Sequence, residues 1–283
     1  MIRRIAGRAG DARRRGTLRP ADGLDYRVLG PVGVSDGLRE LPVDGSKPRT
    51  VLAALLLSGQ RLVSDSQLSD LLWGQDPPAT SHAQICTYVS RLRKALGRGA
   101  VIERRSPGYV LHIGQGNLDL ARFESDAELG RSALALGRYE QASRKLRSAL
   151  DRWHGPALAG VSERLVSSAA PGLEEARISV LERRIEADLA LGGHAELLPE
   201  LAGLVAEHPL RDRLRAQLMT ALYRSDRQAD ALALFDEGRR TLADEFGVHP
   251  GELLRRVHHA ILTGAPELDW PPGRSVVRTA NSV

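Results

Sequence analysis

The chain has 283 residues, a net charge of +5, 42% hydrophobic residues and one cysteine, which excludes wholesale disorder, an internal disulfide and a thiolate metal cage. No run approaches the ~18 apolar residues of a membrane span and the N-terminus lacks the apolar core of a secretory signal, so a soluble, cytoplasmic protein of about two domains is expected. The basic excess is concentrated: residues 1–24 carry seven Arg and two Asp, residues 25–113 eleven Lys+Arg and eight Asp+Glu, and residues 114–283 twenty-two and twenty-five.

Residues 1–24 show Gly and Arg without apolar periodicity and read as a disordered basic arm, either without a role or adding non-specific phosphate attraction. Tyr26–Gly30 and Val32–Val34 then alternate, Ser35-Asp36-Gly37 turns, and Leu38–Val43 returns as a further strand. Pro31, Pro42 and the glycines keep these strands short. A helix from Ser46 to Leu57, with Pro48 in its first turn, is apolar nearly all round and should be buried. Ser64 or Asp65 caps a second helix with Leu68, Leu71, Leu72 and Trp73 inward, ended by Gly74 and Pro77-Pro78.

A third helix runs from about Thr80-Ser81 to Leu96-Gly97. Ile85, Val89, Leu92 and Leu96 form a single apolar stripe. The remaining surface carries Ser81, Gln84, Thr87, Tyr88, Arg91, Arg93 and Lys94, with no acid among them. Solvated helix faces ordinarily mix both signs, whereas these side chains suit phosphates and base edges. Val101–Arg105 and Tyr109–Ile113 follow as a hairpin, and Pro107-Gly108 at its centre favours a type II turn. Arg104 and Arg105, two basic residues at the tip, have the chemistry that a minor-groove or backbone-contacting wing needs. The order strands, three helices, hairpin fits a helix-turn-helix whose last helix enters the major groove.

The segment Tyr26 to Ile113 resembles the OmpR-type winged helix-turn-helix, and more narrowly that of the Streptomyces antibiotic regulatory protein (SARP) family. Lys47-Pro48-Arg49, Leu68 to Gly74, Pro77-Pro78-Ala79, Thr87 to Leu96 and Pro107-Gly108-Tyr109 carry the likeness. The resemblance implies base reading by Gln84, Thr87 and Arg91. It implies phosphate contacts from Lys47, Arg49, Ser81, Tyr88, Arg93 and Lys94, and a wing at Arg104, Arg105 and Ser106. His82 and Cys86 fit no role in that pattern and are read as incidental packing.

From residue 118 to 264 the pattern is helical: Leu118–Leu136, Tyr139–Trp153, Ser162–Leu191, Ala195–His208, Leu210–Arg224, Gln228–Phe246 and Pro250–Leu262. The breaks at Gly192 and Asp226 lie 34 residues apart, the tetratricopeptide period. Either a concave partner-binding surface or a plain bundle fits. Asp119–Phe123, Gly137-Arg138-Tyr139, Trp153–Leu158 and Leu242–Pro250 resemble the bacterial transcriptional activation domain. Residues 265–283, with three prolines, read as a disordered tail.

The expected fold is therefore mainly α with a small β part: an N-terminal winged helix-turn-helix followed by an all-α tetratricopeptide-like domain. No P-loop, no strand-linked G-x-G-x-x-G and no H-E-x-x-H is present, and His258-His259 reads as a solvated helix end. No enzyme activity, cofactor or metal is expected. The resemblance implies an activator that binds direct repeats of double-stranded DNA near promoters, several copies side by side. It further implies recruitment of RNA polymerase holoenzyme through its sigma factor and other subunits, control of a secondary-metabolite gene cluster, and nucleoid association. A repressor with the same DNA contacts, or a helical-repeat adaptor that binds no DNA, are the alternatives.

Overall fold

The computed structural model of the chain describes residues 23–269. Of the expected basic arm only Gly23 and Leu24 fall within that range, and Leu24 is buried. Strands β1 (Asp25–Arg27) and β2 (Gly33–Ser35) pair antiparallel with Tyr26 opposite Val34, the two inward-facing residues. A strand that sequence periodicity missed, β6 (Asn117–Leu118), adds to β1 in parallel and gives the order β2-β1-β6. The strand expected over Leu38–Val43 is reduced to one bridge between Glu40 and Ser35. The Asp36 carboxylate accepts from the amides of Leu38 and Arg39, which bends the chain out of ladder geometry and leaves Leu38 70% exposed.

Helix α1 (Ser46–Leu57) is buried continuously from Thr50 to Leu56, as an all-round apolar sequence requires. Helix α2 (Asp65–Trp73) starts on a capping box: the Ser64 hydroxyl accepts from the Gln67 amide while the Gln67 side chain accepts from the Ser64 amide. Helix α3 (Ser81–Leu96) buries Ile85, Val89, Leu92 and Leu96 against α1 and α2, and Gly97 closes it at a φ of 56°.

The hairpin consists of β4 (Val101–Arg105) and β5 (Gly108–His112). Strand β3 (Val63–Ser64), also missed by periodicity, pairs with β5 on the other side, giving the order β3-β5-β4. The turn is not type II. Arg105 pairs with Gly108, so Ser106 and Pro107 occupy the two central positions, and their peptide is cis, the type VI arrangement. Gly108 belongs to the strand for a different reason: a Cβ there would lie 2.0 Å from the Val63 carbonyl oxygen.

Seven helices follow: α4 (Asp119–Ala135), α5 (Tyr139–Leu150), α6 (Glu163–Ala190), α7 (His194–Glu207), α8 (Asp212–Arg224), α9 (Gln228–Phe246) and α10 (Glu252–Thr263). Neighbours in sequence pack together, and α10 returns onto α8. The tail expected to be disordered from Ala265 begins otherwise. Pro266–Leu268 form a 3-10 turn, Leu268 is buried, and Arg224 donates to its carbonyl at 2.7 Å. His258 is likewise not simply solvated, because it stacks on Phe235 at 3.8 Å between ring centres. Burial pushes its imidazole pKa down.

Apolar packing does not divide where the sequence pattern changes. One core runs without interruption from Leu24 to Ala187 and joins both sheets and α1–α3 to α4, α5 and most of α6. A second core, from Ile185 to Leu268, holds the end of α6 together with α7–α10. The 28-residue α6 is the element common to both.

Candidate nucleic-acid interface

Sixteen residues of α3 contain no Asp or Glu, so its exposed surface carries only neutral and cationic groups. With the stripe Ile85, Val89, Leu92, Leu96 buried, the helical repeat of about 100° per residue places Ser90, Thr87, Lys94 and Arg91 on the outward crest. Arg91 and Lys94 are both exposed and make no hydrogen bond or ion pair among the described residues. They are cations held on a rigid helix and free to meet an anion. The Thr87 hydroxyl donates back to the Ala83 carbonyl at 2.9 Å, which leaves its oxygen lone pairs and methyl outward.

The seven polar residues expected on one face divide between a crest and two flanks. Ser81, Gln84 and Tyr88 occupy one half-buried flank. There the Tyr88 hydroxyl donates to Gln84 Oε1 at 3.0 Å and Gln84 Nε2 donates to Thr80 Oγ1 at 3.0 Å. Arg93 lies nine positions after Gln84, about 180° around the helix, on the flank toward the hairpin. Its Nε and Nη2 both donate to the Ile102 carbonyl, at 3.0 and 2.6 Å, tying α3 to β4. Cys86 shares that flank, with Tyr109 Oη 3.5 Å and His82 Nε2 3.9 Å from its sulfur.

In the wing, Arg104 makes a two-pronged pair with Asp65 at the start of α2, both contacts at 2.7 Å, and its guanidinium lies over the Tyr109 ring at 4.7 Å. That arrangement braces the hairpin against α2. Arg105 is exposed and pairs at 2.9 Å with Glu103, whose carboxyl is held below its usual range first by Arg105 and then by His112. Ser106 sits exposed at the tip. Lys47 and Arg49, in the first turn of α1, are half-buried. Lys47 Nζ is 5.0 Å from the centre of the Trp73 ring, and Arg49 Nε donates to the Val43 carbonyl at 3.0 Å.

Sequence reading missed two participants, Asp65 and Tyr109. Asp65 reads as a first-turn acid of α2, 39 residues from Arg104, and nothing local links the two. Tyr109 stands opposite Arg104 in the hairpin, and that register was the available signal. Burial pushes the Tyr109 phenol up to about 12, so its ring meets Arg104 as a neutral partner.

Comparison with known proteins agrees with both halves of this architecture. Residues 45–111 match the family model "Transcriptional regulatory protein, C terminal", and residues 118–262 match "Bacterial transcriptional activator domain". The chain is 38% identical to the regulatory protein DnrI of Streptomyces peucetius, over 87% of this chain and 94% of that one. It is 43% identical to the regulatory protein AfsR of Streptomyces coelicolor over 87% of its own length, but spans only 25% of that relative. The solved structure of Mycobacterium tuberculosis EmbR, in complex with a low-affinity phosphopeptide, superposes with a TM-score of 0.81 at 40% identity. That match covers 85% of this chain and 65% of the other.

Proposed function

Since the chain belongs to the SARP family of bacterial transcriptional regulators, we propose that it is a sequence-specific DNA-binding activator working at direct repeats near promoters. The observation that carries this reading is the acid-free α3, with Arg91 and Lys94 exposed and unpaired on a crest fixed by a buried stripe. In it, Thr87 and Arg91 read base edges in the major groove from the crest and Gln84 from its flank. Lys94, Tyr88 and Ser81 hold phosphates, with Lys47 and Arg49 as further backbone contacts from α1. Arg105 and Ser106 approach the backbone from the wing. Arg93 and Arg104 contribute chiefly by fixing α3 and the wing to the rest of the domain. Two or more copies lie side by side on the repeats, and the helical domain engages RNA polymerase holoenzyme, including its sigma factor. The controlled genes form a secondary-metabolite cluster.

If Arg91 reads a base, Arg91→Ala costs about 1–3 kcal/mol of binding and relaxes preference at one base pair. Equal weakening on every sequence in a mobility-shift series would remove that role. Replacing Arg104 and Arg105 together should flatten the plot of log affinity against log salt by about one unit, not two, because Asp65 holds Arg104 through two contacts, whereas the more exposed pair of Arg105 with Glu103 gives way to a phosphate. A change of two units would mean that Arg104 leaves Asp65 for phosphate; no change would put the wing away from the DNA. Reconstituted transcription with RNA polymerase holoenzyme tests the activator reading. Rising transcript supports it, falling transcript would make the protein a repressor, and failure to shift upstream DNA would leave the adaptor reading.

A further inference from the structure

The winged domain and the helical stack are joined by far more than the chain between them. The Asp119 carboxylate, at the start of α4, accepts from the amides of Val28 and Leu29 at 2.9–3.0 Å. Residues 154–159, between α5 and α6, run beside residues 28–32 as a backbone ladder. The amides of His154, Leu158 and Ala159 donate to the carbonyls of Leu29, Val28 and Gly30, and Val32 donates back to Ala159, all at 2.9–3.0 Å. Leu158 is fully buried there at a φ of 60°, a left-handed conformation that a leucine holds only where its surroundings over-determine it.

Ser162 then closes the junction with three partners. Its amide donates to the Thr50 hydroxyl of buried α1 at 2.7 Å, and its own hydroxyl donates to the Leu71 carbonyl of α2 at 2.8 Å. The same hydroxyl caps α6 by accepting from Leu165. One residue thus ties α6 to α1 through its amide and to the last turn of α2, the helix leading into α3, through its hydroxyl.

We propose that Ser162 and Asp119 are positioning residues that lock the DNA-reading domain onto the helical stack in one orientation. Transcriptional output depends on that orientation, while affinity for DNA does not. The second half of this inference rests on the activator reading above. Neither residue lies on the crest of α3 or on the wing, so a loosened junction leaves the DNA contacts intact. What it loses is the set angle at which a DNA-bound copy presents α6–α10 to the transcription machinery.

The test uses the full chain in a Cys86→Ser background with spin labels placed by Val101→Cys, exposed at the end of the hairpin away from the wing tip, and Leu262→Cys. The parent should give one narrow distance distribution, unaltered by DNA. The Asp119→Ala, Ser162→Ala double variant should broaden it and keep DNA affinity within about two-fold, as distant sites do. Its transcript yield should fall about ten-fold, well beyond that change in affinity. Ser162→Thr, which keeps the hydroxyl, should behave as the parent. If the double variant does not fold, Asp119→Asn and Ser162→Ala singly carry the same comparison. An unbroadened distribution overturns the lock. A parallel fall of affinity and transcription, or full transcription from a broadened population, overturns the positioning role. A parent that fails to activate would refute the activator reading, and the distance measurement would still decide whether the junction is locked.

Discussion

Asp188→Ala should lower the unfolding free energy by about 3 kcal/mol, visible as a shifted urea midpoint, because it strands a charge in the interior. The Asp188 side chain, 7% exposed, accepts from Arg147 at 2.6 Å, Arg184 at 3.1 Å and Ser143 at 2.6 Å. These residues come from α5 and α6, so one carboxylate joins two helices. Arg184 is 5% exposed and would keep only Glu200 as an ionic partner. Breaking one member of a buried pair typically costs about 3–5 kcal/mol, and the remaining Glu200 contact places this case near the lower bound. Arg147 is 57% exposed and can turn to water, so Arg147→Ala should cost well under half as much. Equal midpoints for the Asp188 variant and the parent would show that water reaches Arg184.

Gly108→Ala should cost a comparable amount, about 3 kcal/mol, by overpacking. The added methyl would meet the Val63 carbonyl oxygen at 2.0 Å and Ser64 Cα at 2.7 Å, both main-chain atoms that cannot rotate away. Strand β3 must then leave β5, and with it move the Ser64 cap of α2 and the Asp65 amide, which donates to the Pro107 carbonyl at 2.8 Å. Thermal unfolding should report the loss of stability, and a mobility shift should report weaker DNA binding as the wing detaches from α2. Unchanged stability would mean that β3 shifts as a unit at little cost. Gly137→Ala is a useful contrast. Nothing lies within 4 Å of a Cβ there, so only the left-handed φ of 68° is penalised.

The helices were legible because each carries its own signal. The stripe of α3 and its following Gly97, the continuous apolar face of α1, and the Ser64/Gln67 box of α2 are all local. The seven later helices lie within a few residues of their expected ranges. Strands of two residues, such as β3 and β6, have no periodicity to read, and only their partners create them. The turn at Ser106-Pro107 was misjudged for the same reason, since its register is set by Arg105 pairing with Gly108 and by β3 crossing over that glycine. Within the candidate interface, residue chemistry singled out α3 but could not say which polar groups were already engaged. The bonds from Arg93 to Ile102 and from Arg104 to Asp65 are contacts between elements, invisible along the chain. Residues 154–159 fell between the expected helices Tyr139–Trp153 and Ser162–Leu191, and their partners, residues 28–32, lie far upstream.

Helix α6 also works as a lever. At about 1.5 Å per residue its 28 residues span about 42 Å, from the Ser162 pivot beside α2 to the second core. A tilt of only 5° at the pivot would sweep the far end through about 4 Å, roughly two-thirds of the rise of one helical turn. A displacement too small to disturb the proposed seating of α3 in a DNA groove would therefore be large enough to misalign the surface of α7–α10 that we propose faces the transcription machinery.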